Sequence, residues 1–257
     1  MPFENSPNPN MKYNFAIKAK NVILNKNKSP LLFEDLKKLS LLNKIDFFSE
    51  TIFNFTCLEL DENQTIPNSY IEIPLREFFS IFSKEESAVA ARARTLSKWR
   101  NSMQFCPKCG TKLLFCKDFT AKECPNCSAQ YFPRIEPAVI VLISKEDKIL
   151  LAKHSQRDQN VYTCLAGFIE AGETAEQAVE REVFEETGIK IKNLKYKGSQ
   201  GWPYPDQLML AYTADYASGE LLIQKEELED AAWFSRANLP QIPKAGSVAY
   251  RLINNLF

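Results

Sequence analysis

Residues 167–189 read Gly167-Phe168-Ile169-Glu170-Ala171-Gly172-Glu173-Thr174-Ala175-Glu176-Gln177-Ala178-Val179-Glu180-Arg181-Glu182-Val183-Phe184-Glu185-Glu186-Thr187-Gly188-Ile189. Thr174 can N-cap a helix, with Gln177 at the reciprocal capping-box position. Ala178 and Val179 anchor one face, and Gly188 suits the left-handed residue that ends a helix. The stretch therefore predicts a helix over 174–187. Glu182, Glu185 and Glu186 stand at i, i+3 and i+4, so all three project from one side. Three neighbouring like charges repel, and a hard divalent cation reverses that cost. Mg²⁺ takes oxygen ligands, keeps several waters and bridges carboxylates to substrate phosphates. Arg181 can orient the cluster by pairing bidentately with a carboxylate, Glu173 being in reach.

Working outward, the helix is embedded in strand-like runs. Ala138–Ile143 and Lys148–Lys153 are joined by a Lys-Glu-Asp turn, and Tyr162–Ile169 leads into the glycine-bounded stretch. Leu194–Gln200, Gln207–Tyr216 and Ala231–Ser235 follow, and Ser247–Leu256 reads as a closing helix. Upstream, Tyr13–Ile17, Val22–Leu24, Ile52–Leu60 and Ile71–Ile73 read as strands between Asn/Pro-rich turns. Lys84–Trp99 reads as a helix with a Ser83/Glu86 capping box and a stripe of Val89, Ala93, Leu96 and Trp99. Arg92, Arg94, Lys98 and Arg100 lie mostly off that stripe; such residues form a solvated basic face or a phosphate-contacting one. Residues 1–10 are polar and proline-containing and are expected to fray. The reading is an α+β chain in three parts: an N-terminal α+β domain over 1–100, a cysteine-rich insert over 101–136, and a catalytic domain over 137–257.

The insert carries Cys106-Pro-Lys-Cys109-Gly110 and Cys124-Pro-Asn-Cys127, with fourteen residues between Cys109 and Cys124. Each pair lets one tight turn present two sulfurs to one ion, and two such turns complete a tetrahedral thiolate site of the kind zinc prefers. Four protein ligands leave no open position, so this zinc, one per chain, is expected to be structural. Cys57 and Cys164 sit in apolar runs and read as core residues, and a fifth ligand from Cys116 is not needed. The single histidine, His154, closes a strand and precedes Gln156-Arg157-Asp158, which makes histidine-based catalysis a poor fit.

Composition sets the outer bounds. The 257 residues hold 32 Lys+Arg against 32 Asp+Glu, and net neutrality argues against a general nucleic-acid coat. Hydrophobic residues make up 45%, which excludes wholesale disorder. No window reaches 18 apolar residues, so no membrane span is expected. The N-terminus lacks the basic and apolar regions of a secretory signal, and the cysteine pairs suit a reducing compartment, so a cytoplasmic protein is expected.

The stretch at 167–189 matches the box of the Nudix hydrolases: Gly167, five residues, Glu173, seven residues, then Arg181-Glu182-Val183-x-Glu185-Glu186-x-Gly188-Ile189. The resemblance implies an α/β/α sandwich around a mixed sheet and hydrolysis of a nucleoside diphosphate linked to another moiety. It implies that Mg²⁺ or Mn²⁺ is held by Glu182, Glu185 and Glu186, with the carbonyl of Ala166 and Glu227 as further ligands. Downstream, Ser199-Gln200-Gly201-Trp202-Pro203-Tyr204-Pro205-Asp206-Gln207 resembles the S-Q-P-W-P-F-P-x-S array of the NADH pyrophosphatase branch, with Gly201, Tyr204 and Gln207 as departures. That branch also carries a zinc ribbon and a junction like Tyr131-Phe132-Pro133-Arg134. It implies a homodimer that hydrolyses NADH or NAD to nicotinamide mononucleotide and AMP. It puts Phe132, Phe168, Gln200, Gly201, Trp202, Pro203, Tyr204, Pro205, Asp206 and Gln207 among the substrate-binding residues. Physically, Trp202 and Tyr204 offer ring faces and the prolines stiffen their presentation. Glu182, Glu185 and Glu227 are the candidate proton acceptors. The alternatives are removal of an NAD cap from RNA 5′ ends by the same site, and another activity of the family such as ADP-ribose hydrolysis.

Overall fold

The computed structural model describes residues 8–45, 47–155, 160–204 and 206–257, and residues 3–4 by their backbone alone. The chain forms two compact units, Met1–Arg134 and Ile135–Phe257.

The first unit holds a six-stranded sheet in the order β1-β4-β5-β2-β3-β6. Its strands are β1 (Phe3–Glu4), β2 (Tyr13–Lys18), β3 (Asn21–Asn25), β4 (Phe48–Glu50), β5 (Phe55–Leu60) and β6 (Tyr70–Pro74). The expected strand over 52–60 is two: Thr51–Asn54 form a turn, with Asn54 at φ 56°, that reverses β4 into β5. Two helices beyond the sequence reading are α1 (Phe33–Asn43) and α2 (Leu75–Ile81). Leu36 and Leu39 of α1 pack on Ala16, Ile23 and Leu58. α3 (Lys84–Ser102) has the expected cap, Ser83 accepting from the Glu86 amide and Glu86 accepting from the Ser83 amide. Its apolar stripe, Val89, Ala93, Leu96 and Trp99, is buried. The cysteine-rich segment carries a three-stranded sheet of β7 (Leu114–Phe115), β8 (Lys122–Glu123) and β9 (Gln130–Tyr131).

The second unit is a mixed sheet with a helix on each face. Its path is β13-β14-β10-β11-β15, with β12 also paired to β10. The strands are β10 (Glu136–Lys145), β11 (Lys148–His154), β12 (Leu165–Phe168), β13 (Lys190–Trp202), β14 (Gln207–Ser218) and β15 (Leu228–Ser235). β10 and β14 run parallel and the other pairs antiparallel. Ala138–Ile143 are all buried, because both faces of β10 are covered. On one face Val139, Val141 and Tyr212 meet Ala178, Val179 and Val183 of α4 (Ala175–Thr187). On the other, Ala138, Ile140 and Ala211 meet Val248, Ala249, Leu252 and Ile253 of α5 (Val248–Ile253). Of the expected strand over 162–169 only Leu165–Phe168 is regular, with Thr163 bridging Ala152. β13 instead starts four residues earlier than expected and runs on through Trp202.

Candidate active site

The carboxylate helix α4 starts and stops as its sequence dictates. Thr174 Oγ1 accepts from the Gln177 amide at 3.2 Å, Gln177 Oε1 accepts from the Thr174 amide at 2.9 Å, and Gly188 closes the helix at φ 69°. This fixes which way the glutamates point. Glu186 is buried, Glu182 is 13% exposed at its side chain, and Glu185 is 53% exposed.

Arg181 organises the cluster. Its Nε and Nη2 donate to the two oxygens of Glu173 at 2.8 and 3.0 Å, a bidentate pair. Nη2 also donates to the Phe168 carbonyl at 2.9 Å, while Nη1 donates to Glu182 Oε1 at 2.8 Å and Glu185 Oε2 at 3.0 Å. One guanidinium thus ties the loop after β12 to the acidic face of α4. The hydrogen bonds from Arg181, joined by one from the Glu170 amide, hold the Glu173 carboxyl below its ordinary range. Glu182 is shifted the other way. Burial is the main cause, Arg181 opposes it, and the charges of Glu185 and Glu227 add to it.

That last influence places Glu227. It lies on the loop before β15, exposed, with its carbonyl accepting from the Ser155 amide at 2.9 Å. The Gln224 amide on the same loop donates to the Glu186 carbonyl at 3.0 Å, which anchors the loop to the end of α4. Ala166 pairs with Ile140 in the sheet, beside Gly167. At Gly167 a Cβ would overlap the Glu182 carboxyl group, so only glycine lets that side chain lie against β12.

The sheet register joins this helix to the aromatic array. Gly167 is level with Val139 on β10, Val139 with Leu210 on β14, and Leu210 with Ser199 on β13. Three strand spacings of about 4.8 Å span roughly 14 Å, so the Glu182 carboxylate and the start of the array stand on one row of the sheet.

Within the array the residues divide. Ser199–Trp202 are strand, paired with Leu210–Gln207. Gln200 Nε2 donates to the Gly246 carbonyl at 2.8 Å, tying the strand to the turn before α5. Trp202 packs against the core under α5, and its ring meets Tyr204 edge-on at 5.7 Å. Pro203 is buried in a turn closed by the Tyr204 amide donating to the Trp202 carbonyl; Gly201 is exposed. Asp206, at φ 42°, accepts from the Glu136 amide, and Gln207 begins β14. Pro205 lies outside the described residues. Phe168 is 42% exposed beside Gly167. Phe132 belongs to the first unit, where it is 58% exposed and stacks on Phe119 at 5.8 Å and 14°. The Gly167–Glu182 approach, the Phe168 carbonyl and the Gln200 tie escape sequence reading, since each depends on register or on a backbone atom.

The four thiols form the other candidate centre. Cys106, Cys109, Cys124 and Cys127 put their sulfurs within 4.8 Å of one another, and none is in a disulfide. Three Sγ–Sγ distances are 3.4, 3.7 and 3.7 Å. The two knuckles repeat one geometry: the Gly110 and Ser128 amides donate to the Cys106 and Cys124 carbonyls, at φ 72° and 55°. The Thr111 hydroxyl lies 3.4 Å from Cys109 Sγ, and this hydrogen bond, with the Thr111 backbone and the Asn126 side chain, pulls that thiol down to about 5. The glutamates form no comparably tight group among the described residues, because the Arg181 guanidinium stands between them.

The basic residues of α3 turn inward. Arg92 pairs at 3.2 Å with the fully buried Glu50 and lies over the Phe53 ring, and Arg100 lies over Phe48 and Phe115. None of Arg92, Arg94, Lys98 and Arg100 is fully exposed, so this helix does not present the solvated basic face its sequence suggests.

The NUDIX domain family model matches residues 134–256. The chain is 47% identical over 167 residues to the NAD-capped RNA hydrolase NudC of Klebsiella pneumoniae strain 342, covering 65% of each chain. It is 41% identical over 197 residues to the protein of the same name from Pseudomonas aeruginosa strain LESB58, covering 77% of this chain and 70% of that one. The match therefore spans just under two thirds of the Klebsiella relative's length and somewhat more of the Pseudomonas one. Among solved structures, a NUDIX hydrolase from Nitrosomonas europaea aligns at TM-score 0.45 and 22% identity, over 55% of this chain and 84% of that one. Among the described residues no helix is long and apolar enough to cross a membrane.

Proposed function

The chain belongs to the NUDIX family, and from that premise we propose that it hydrolyses the pyrophosphate bond of NADH or NAD, giving nicotinamide mononucleotide and AMP. The observation that carries the reading is the shared row of the sheet: Gly167, against which the Glu182 carboxylate lies, is at one end, and Ser199, where the array begins, is at the other. A dinucleotide laid across that row has its diphosphate at the glutamates and a base at the end where the array begins. The relatives' name favours a second substrate for the same site, an NAD cap on RNA. ADP-ribose hydrolysis is the remaining alternative.

The donor set fits Mg²⁺ or Mn²⁺: hard carboxylate oxygens, with Arg181 taking one oxygen each of Glu182 and Glu185 and leaving the second to other partners. Glu182, Glu185, Glu186, Glu227 and the Ala166 carbonyl would hold it. When bound, a divalent ion supplies charge neutralisation at the diphosphate and a water of lowered pKa. Arg181 keeps the cluster in register by clamping Glu173 and the Phe168 carbonyl. Glu182, Glu185 and Glu227 are the candidate proton acceptors, and of these Glu185 and Glu227 face water. The array residues bind and align the base end.

The thiol centre fits zinc. Four sulfurs at about 2.3 Å from one ion stand about 3.8 Å apart, close to the distances of the preceding section. With no ligand position left open, the ion's part is to fold the segment. A homodimeric, cytoplasmic enzyme completes the proposal. Product analysis with NADH, NAD, ADP-ribose and NAD-capped RNA at equal concentrations tests it: the dinucleotide or its capped RNA should outpace ADP-ribose. Faster ADP-ribose turnover would reject the assignment.

A further inference from the structure

β13 is an edge strand of the second sheet and carries Lys190, Lys192, Lys195 and Lys197 with no carboxylate along its length. All four are exposed, and among the described residues none forms an ion pair. The nearby Asp215 carboxylate is held by Asn193 Nδ2 at 2.8 Å. Asn193, at φ 53°, lies in an irregularity between Lys192 and Lys195. The register beyond it pairs Lys192 with Asp215 and Lys195 with Thr213, so these two lysines share a face that simple alternation would deny them. The run from Lys190 to Lys197 is about 23 Å long at a strand's rise per residue. Beyond an irregularity between Tyr196 and Gly198, the same strand runs on into Ser199–Trp202. Tyr196, packed edge-on against Tyr212 yet 56% exposed, adds a ring to the strand.

Arg92 and Arg100 of α3 are engaged internally, whereas β13 sets four exposed lysines on the strand that leads into the array. We infer that β13 is a track for the phosphates of an RNA chain whose 5′ NAD moiety occupies the site, the chain running from Trp202 towards Lys190. This rests on the proposed hydrolysis of capped RNA. Charge complementarity selects the occupant: four exposed lysines along one edge strand, with no carboxylate among them, suit a polyanion leaving the site, and a free dinucleotide ends before reaching them.

The test compares the full-length protein with a Lys190→Gln/Lys192→Gln/Lys195→Gln/Lys197→Gln variant on NADH and on an NAD-capped single-stranded RNA, across salt concentration. NADH turnover, which checks folding, should be unchanged. Four phosphate contacts give a log–log salt slope of about −2.8, so the variant should flatten the slope for capped RNA by up to that amount. It should also lose about 10- to 50-fold in kcat/KM at low salt. Unchanged capped-RNA turnover and salt slope would overturn the inference and leave the lysines as guards of a sheet edge. If the wild type cleaves NADH but not capped RNA, the substrate reading fails by itself. Binding of uncapped RNA then decides the track: loss of affinity in the variant supports it, and equal affinity or no binding rejects it. Weaker binding to anionic vesicles with RNA binding intact would reassign the strand to a membrane surface and also overturn the inference.

Discussion

Gly167 and Glu182 compete for one volume, and the site depends on the glycine yielding it. A methyl group at 167 would meet the Glu182 carboxyl, so Gly167→Ala should swing that side chain off β12 while leaving the helix caps intact. A misplacement of about 1 Å costs on the order of a hundredfold. Turnover of NADH should therefore fall by about that factor with thermal stability nearly unchanged, as paired kinetics and calorimetry would check. Trp202 makes the contrasting case. Its partial burial against the α5 core means Trp202→Ala removes packing as well as a ring. NADH turnover should drop roughly ten- to a hundredfold, the scale of one lost stack, accompanied by a lower melting temperature. A variant that lost activity at full stability would mark the ring as purely a recognition element. At this scale the sequence shows the glutamate spacing, because helical periodicity puts Glu182, Glu185 and Glu186 on one side, and it offers Glu173, just before the helix, as a partner for Arg181. It does not show that Gly167 lies against Glu182, or that Gln200 is spent on Gly246, since both need the folded sheet.

α3 and α4 announce themselves through their capping boxes, and both begin where Ser83 and Thr174 place them. α1 starts after Leu32, with no side-chain oxygen at the cap, and exposes Leu41 and Leu42, which blurs its stripe. α3 also ends in a way no sequence pattern reveals. Lys122, from β8, is 4% exposed, and its Nζ donates to the Arg100 and Met103 carbonyls at 2.8 and 2.5 Å, beneath the Trp99 and Phe115 rings. Burial, with Arg100 nearby, lowers this ammonium to about 8. The unfolded chain holds the proton to about pH 10.4. Between these values the unfolded state binds more protons, so this group makes stability rise with pH from about 8 to 10.4. Below pH 8 both states are protonated and its contribution to the slope vanishes. Lys122→Met should flatten the alkaline part of a stability–pH profile measured by denaturant titration; an unaltered slope would remove the assignment.

For the whole molecule, the α/β/α sandwich after residue 136 follows from the resemblance of the 167–189 stretch to the Nudix box, while the strands and the two helices themselves are legible from their periodicity. The strand order is not, because the parallel β10–β14 pairing joins segments more than sixty residues apart. The thiol centre is legible from spacing alone, and it predicts about one zinc per chain by metal analysis. Cys124→Ser should lose the ion and destabilise the first unit, since metal binding there is folding energy; metal-free protein of equal stability would contradict this. Hydrolysis of the NADH pyrophosphate is proposed to run on the carboxylates of α4, and the buried Glu186 tests this with the least change of shape. The measurement is chromatographic separation of products from NADH with wild type and Glu186→Gln. The wild type should give equimolar reduced nicotinamide mononucleotide and AMP, and the folded variant should lose at least about a hundredfold in turnover, as expected when charge stabilisation at a metal site is removed. Near-normal turnover by Glu186→Gln, or nicotinamide and ADP-ribose as products, would contradict it.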